Sequence, residues 1–290
     1  MARLCKACLL VFFAFPAISQ DSNLRVAVPL LAFGSHHQPT SISVESLVIT
    51  DQKVPVTGAD LLPGANLPLE LGVMIDTSPS QRGANLDEVL KTINRFVAET
   101  IRSPEDKVFF LTFSEGQHMT EWLRKDQLQS RPPVKLGLMD GTAFYDALAA
   151  ACQQRMGPRN WAKPTRRVLV VVSDGIDNRS QLTGGQAVSE ALKAGAVIFT
   201  IDPVVIGVVS KGDKMMTSIA EQTGGESFDG VGWQEIPKVF ASIQELIKGM
   251  YYLRYLPPST PNDEFHKVEV KAAPKEKLRL AYARKYFWNP

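Results

Sequence analysis

The sequence predicts an α/β fold: a doubly wound, mostly parallel sheet with β segments flanking it at the N- and C-terminal ends. From residue 69 to residue 249, apolar runs alternate with amphipathic stretches in strand-helix order. Runs such as VLVVV at 168–172 have no polar interruption, which marks strands covered on both faces. On either side, at 20–68 and 250–290, β-branched residues, prolines and alternating charges replace the helical period.

The chain has 290 residues, 44% hydrophobic and 21% charged, which excludes a disordered or fibrous polymer. It opens with MARLCKACLLVFFAFPAISQ: a basic start at Arg3 and Lys6, a short apolar run, and small residues Ala17 and Ser19 placed for cleavage before Gln20. We read 1–19 as a secretory signal, because its run of about a dozen apolar residues falls short of the roughly 20 that span a bilayer. An uncleaved anchor is the alternative. No later segment reads as a membrane span, since AGAVIFTIDPVVIGVV is interrupted by Asp202 and Pro203. The expected location is therefore extracytoplasmic, secreted or periplasmic.

Loss of Arg3 and Lys6 leaves 30 basic against 30 acidic residues, so no bulk charge draws the chain to nucleic acid or acidic lipid. Cys5 and Cys8 leave as well. Only Cys152 remains, in DALAAACQQ, where a small buried helix residue is expected and no disulfide framework exists.

In chain order, LRVAVPLLAF and TSISVESLVIT read as strands. In the second, Ile42 and Val44 are out of phase with Leu47 and Ile49, which predicts a bulge near Glu45 and Ser46. TGADLLPGANLP reads as a linker, interrupted by Gly58, Pro63, Gly64 and Pro68. The strand LELGVMID follows, then a helix over 85–101 in which Leu86, Val89, Leu90, Ile93, Phe96, Val97 and Ile101 repeat at helical spacing. The strand KVFFLTFS, a helix over 142–156, the strand RVLVVVSD, a helix over 185–193, the strand AVIFTID and a helix over 215–222 continue the alternation. Ile236, Val239, Phe240, Ile243, Leu246 and Ile247 mark the last helix. MYYLRYL, the alternation around Val268 and Val270, and that of Leu278, Leu280 and Tyr282 predict antiparallel strands. These either pair with the N-terminal segment as one β module or extend the sheet.

In open α/β sheets, ligands bind outside the carboxyl ends of the strands. There the sequence places Asp76-Thr77-Ser78-Pro79-Ser80, Asp140-Gly141-Thr142 and Asp174-Gly175. Two carboxylates and three hydroxyls from separate segments suit a small hard cation, which takes about six oxygens. Neutral hydroxyl ligands leave such an ion electrophilic enough to accept a partner's carboxylate. Zinc is not suited, since His36 and His37 lie in a loop and His118 and His266 are far apart. Each of these Asp, Ser and Thr residues taken singly also suits a helix cap.

At these residues the sequence resembles the von Willebrand factor type A (VWA) domain family. Its metal-ion-dependent adhesion site combines an Asp-x-Ser-x-Ser run, a distant Thr and a later Asp, matched here by Asp76, Ser78, Ser80, Thr142 and Asp174. The resemblance spans about residues 69–249, and the leader and flanking strands are similar to the secreted bacterial VWFA-related domain proteins. It implies a Rossmann-like sheet, Mg2+ or Mn2+ held by those five residues, and a protein partner presenting an acidic residue. Pro79 stands where glycine is common in the family, and it fixes φ and lacks an N–H.

Enzymatic readings lack residues. Gly207 and Gly212 have phosphate-loop spacing, but Asp213-Lys214 replaces the required Lys-Ser/Thr. Ser78 occupies the second carboxylate position of an Asp-x-Asp phosphatase, and neither a Gly-x-Ser-x-Gly elbow nor a His-Glu-x-x-His helix occurs. The basic tail KEKLRLAYARKYFW alternates as a strand, so nucleic-acid binding is not expected. Val204, Val205, Ile206, Val208 and Val209 form either an apolar partner-binding rim or a continuation of the preceding strand. The sequence thus predicts an exported, non-enzymatic protein that binds through a metal ion and a partner carboxylate. The alternative is a structural or assembly subunit with a vestigial site, in which the β flanks make the contacts.

Overall fold

The computed structural model describes residues 24–78, 86–128, 141–203, 210–232 and 234–289. The proposed signal, Pro79, Ser80, Asp140 and the apolar segment 204–209 lie outside these residues.

Four strands come first: β1 (Val26–Phe33), β2 (Leu47–Asp51), β3 (Val54–Pro55) and β4 (Asp60–Pro63). The alternating region then gives β5 (Leu69–Asp76), α1 (Leu86–Thr100), β6 (Lys107–Phe113), β7 (Gln117–Met119), α2 (Phe144–Ala150) and β8 (Arg166–Val172). It continues with α3 (Gly184–Ala194), β9 (Val197–Ile201), α4 (Lys211–Thr223), β10 (Ser227–Phe228) and α5 (Ile236–Gly249). The chain ends in β11 (Tyr251–Tyr255), β12 (Glu264–Ala272), β13 (Arg279–Tyr282) and β14 (Lys285–Trp288).

The central sheet has the order β10-β9-β8-β5-β6-β7, and every pairing is parallel except that of β7. Side chains alternate across it. Leu71, Val73, Ile75 and Val170 pack with α1 and α5, while Met74, Leu169, Val171 and Phe109 pack with α2, α3 and α4. Gly72 leaves room for that second layer, since a Cβ there would lie 2.3 Å from Leu169 Cδ2. The helix after β5 and the helix after β8 thus lie on opposite faces, and the crevice between these two neighbouring strands is the switch point where such folds bind ligands.

The flanking segments pair with one another. β13-β1-β11-β4 and β14-β12-β2-β3 form two antiparallel sheets, with Val26, Val28, Leu30, Ile49, Leu253, Tyr255, Val268, Val270, Tyr286 and Trp288 between them. The opposite face of β1, with Ala27, Leu31 and Phe33, joins the core that holds α5, so β1 is buried on both sides. Buried Asp51 accepts hydrogen bonds at Oδ2 from the hydroxyls of Tyr255 (3.0 Å) and Tyr286 (2.5 Å), tying β2 to two C-terminal strands.

Local readings differ from the structure in several places; the helix expected over 215–222 begins at Lys211, where Ser210 caps it. Instead of a bulge, Val44–Ser46 is a 3-10 turn, in which the N–H and Oγ of Ser46 both bond the Ser43 carbonyl; Val44 precedes β2 and is therefore out of phase with it. The linker contains β4, because β11 offers a free edge to Asp60–Pro63 before Gly64 ends the pairing. The second long helix changes at Ala151 into a π-helical turn, Ala151–Met156. Cys152 lies in that turn, 1% exposed, and burial pushes its thiol up to about 12, so it is a packing residue. Among the described residues, no helix is long and apolar enough to cross a membrane.

The sandwich docks against the amino edge of the central sheet, and Trp161 is the peg. It precedes β8, is 6% exposed, and makes edge contacts with Tyr286 and Trp288 at ring-centroid distances of 5.6 and 5.9 Å. Its Nε1 donates to Asn289 Oδ1 at 3.0 Å. Trp161→Ala is expected to destabilise the protein by about 3–5 kcal/mol, read as a lowered urea midpoint in equilibrium unfolding.

Candidate metal centre

Parallel register builds the site. Ile75 lies opposite Val172, so Asp76 and Ser173 leave the ladder side by side and Asp174 follows one residue later. Ser173 Oγ donates to Asp76 Oδ2 at 2.7 Å, and the Ser78 N–H donates to Asp76 Oδ1 at 2.8 Å. Thr77 faces the other way: its N–H and Oγ1 both bond the Phe113 carbonyl at the end of β6. Alternation through the Asp-x-Ser run thus separates Thr77, which anchors the loop, from Asp76 and Ser78.

Thr142 comes from a third segment, and the loop after β8 grips it. The Thr142 N–H donates to Asn178 Oδ1 at 2.9 Å, and its carbonyl accepts from the N–H groups of Asn178 and Arg179. Asp177 accepts from the Tyr145 N–H at 3.0 Å and from Ser180 Oγ at 2.6 Å. Asp146 in return accepts from the N–H groups of Gln181 and Leu182. These bonds satisfy exposed helix-start donors of α2 and fix the loop that carries Asp174. Asp174 Oδ1 accepts from the Ile176 N–H at 3.0 Å. Behind it, Gly175 has φ +70°, and a Cβ on Gly212 would lie 1.9 Å from the Asp174 carbonyl, so only glycine permits α4 to start this close.

Of the five residues singled out from the sequence, Asp76 (2% exposed), Ser78 (2%) and Asp174 (5%) are brought together, and Thr142 (4%) is joined to them through the loop that follows Asp174. Ser80 lies outside the described residues. Ser173, Asp177, Asn178, Ser180 and Asp146 were not singled out, although the loop sequence SDGIDNRS shows an unusual density of short polar side chains after a buried strand.

Asp76 is pushed up to about 6. Burial is the main cause and the charge of Asp174 adds to it, while hydrogen bonds from Ser173 and from the hydroxyl and N–H of Ser78 oppose it. Two carboxylates thus share a buried crevice with hydroxyl oxygens, and among the described residues no third carboxylate, His or Cys joins them. An all-oxygen set with excess negative charge fits a hard divalent ion.

The family model for the von Willebrand factor type A domain matches residues 70–242. No curated protein matches the sequence. Among solved structures, proximal thread matrix protein 1 from the mussel byssus, described with a zinc-occupied MIDAS motif, superposes with TM-score 0.52 at 17% identity, over 67% of this chain and 49% of that one. This chain therefore spans about half the length of the mussel protein. A von Willebrand factor type A protein from Catenulispora acidiphila superposes with TM-score 0.52 at 11% identity, over 92% of this chain and 75% of that one. At such identities the likeness is one of fold. The family match covers more than half of the sequence, and the chain belongs to the von Willebrand factor type A domain family.

Proposed function

We propose that this is an exported, non-enzymatic binding protein, in which Asp76, Ser78, Ser80, Thr142 and Asp174 hold one Mg2+ or Mn2+ and a protein partner presents a carboxylate to it. The observation that carries this reading is the burial of Asp76 beside Asp174 at the switch point, where Asp76 is driven toward its protonated form. A hard divalent ion there supplies the missing positive charge and a Lewis-acidic point for an incoming carboxylate.

The rim supports a protein partner. Ile176, 48% exposed, follows Asp174 by two residues and offers an apolar contact. The Arg179 stem lies over Gly141, next to Thr142, where a Cβ would come within 2.6 Å of Arg179 Cγ. Its guanidinium is half exposed, with Glu115 at 3.8 Å, and it is placed to attract an acidic partner. The flanking strands, by contrast, are largely spent on each other and on the central domain, which favours the crevice over the β flanks as the contact surface.

Titration of Mg2+ and Mn2+ into the metal-stripped protein is expected to give one-to-one binding that Asp76→Ala abolishes. A folded protein that binds neither ion would transfer the partner contacts to the β flanks. Chelation is expected to release the partner, and Ile176→Ser to weaken partner binding roughly tenfold while leaving the metal isotherm unchanged, as read by surface-immobilised binding.

The same carboxylate predicts a pH signature. In the metal-free protein the folded-state value of Asp76 lies above its ordinary 3.8, so its contribution is fully present below pH 3.8 and is lost as pH rises through about 6. The loss is on the order of 3 kcal/mol. Metal-free Asp76→Asn is expected to melt above the native protein at pH 7.5, with the gap closing at pH 4, in scanning calorimetry.

A further inference from the structure

Three arginines meet where the sandwich joins the amino edge of the central sheet, around the buried ring of Tyr252. Arg166 has Asp106 at 3.9 Å, and Arg167 has Glu70 at 2.9 Å. Arg159 has no carboxylate among the described residues, although it is only 4% exposed. Its Nη1 donates to the Gly195 carbonyl at 3.0 Å, and its other side-chain neighbour is the neutral Tyr252 hydroxyl, so neither group brings a negative charge to it. Glu70, the acidic group whose charge acts on Arg159, is already bonded to Arg167 and Lys107.

Arg159 is held in place with care. Its guanidinium carbon lies 5.0 Å from the Trp161 ring centroid and 5.4 Å from that of Tyr252. Gly195, with φ +64°, keeps the space beside it open, since a Cβ there would fall 2.4 Å from Nη1. A small cavity of about 20 Å³ opens at this joint, lined by Arg159 and Lys285 together with Trp161, Gly195, Thr223 and Tyr286. No lining residue is acidic. The Thr223 hydroxyl is bonded to helix carbonyls and Tyr286 to Asp51, so neither balances the charge.

A buried cation without a counter-ion is strongly unfavourable, and a cavity of this size holds one water-sized or halide-sized occupant. We infer that the cavity is a binding site for a single small monovalent anion, of halide size, which neutralises Arg159 and completes the joint between the sandwich and the central domain. The site is independent of the metal crevice, which lies at the opposite edge of the sheet.

The test is thermal unfolding of the whole chain in potassium chloride or bromide against potassium gluconate at equal ionic strength, with Arg159→Met and Lys285→Gln alongside. The native melting temperature is expected to rise by about 3 °C for each tenfold increase in halide above the dissociation constant. Arg159→Met should show no halide dependence, and Lys285→Gln should need several-fold more halide for the same rise. Equal halide slopes in the native protein and Arg159→Met would overturn the proposal. If Arg159→Met does not fold, anomalous scattering from bromide-soaked native crystals decides: a bromide peak in the cavity supports the site, and a water there overturns it.

Discussion

Parallel pairing of β5 with β8 brings Ile75 level with Val172, so both strands run out of ladder at one height and their next residues must share the same small volume. Asp76 and Ser173 meet as a result, and Asp174 follows. The crossing of α1 and α3 to opposite faces opens the crevice above these two strands. A slip of one residue in this register would turn Asp76 into a helix layer and Ile75 toward the crevice, exchanging the polar and apolar sets together. The site and the core are therefore specified by the same pairing.

That arrangement concentrates negative charge, and the surrounding bonds are organised around it. Each carboxylate of the loop after β8 and of the α2 start accepts backbone N–H groups: Asp174 from Ile176, Asp177 from Tyr145, and Asp146 from Gln181 and Leu182. Asp76 receives one N–H and the hydroxyls of Ser78 and Ser173, yet burial outweighs them. The Asx-type bonds thus hold the loop in one geometry while one carboxylate, Asp76, is left undercompensated.

Strand order and the two layers of helices were legible because their signal is periodic and local: 168–172 cannot be polar-faced in any register, and the stripe from Val89 to Ile101 buries as read. The positions of Asp76, Ser78 and Asp174 at the carboxyl edge could be read in advance because they follow strand ends, and that of Thr142 because it precedes a helix. Ser173 and Asn178 could not be read so, since a serine at a strand end or an asparagine in a loop acquires its partner only through tertiary register. β4 was hidden for a related reason. Its residues carry Pro63 and no alternation, and only the exposed edge of β11 makes them a strand. The turn at Val44–Ser46 was misread because an out-of-phase apolar pair looks the same whether the chain bulges or turns.

Aspartates gather at the carboxyl edge of the central sheet and arginines at its amino edge, and helix dipoles favour both placements. Helices here start at the carboxyl edge and end at the amino edge, so partial positive charge faces the aspartates and partial negative charge faces the arginines. Arg167 Nη1 bonds the Ala194 carbonyl at 2.9 Å, and Arg159 bonds that of Gly195, filling acceptors left open where α3 ends. The sandwich then packs over this amino edge through Trp161, and Gly224, with φ +83°, lets β13 approach the end of α4, a Cβ there falling 2.7 Å from Tyr282 Cα. Because the flanks occupy the amino edge, the carboxyl edge stays uncovered by them among the described residues. The pairing of the two ends of the chain thus does more than close the fold: it decides which edge of the central sheet the sandwich covers.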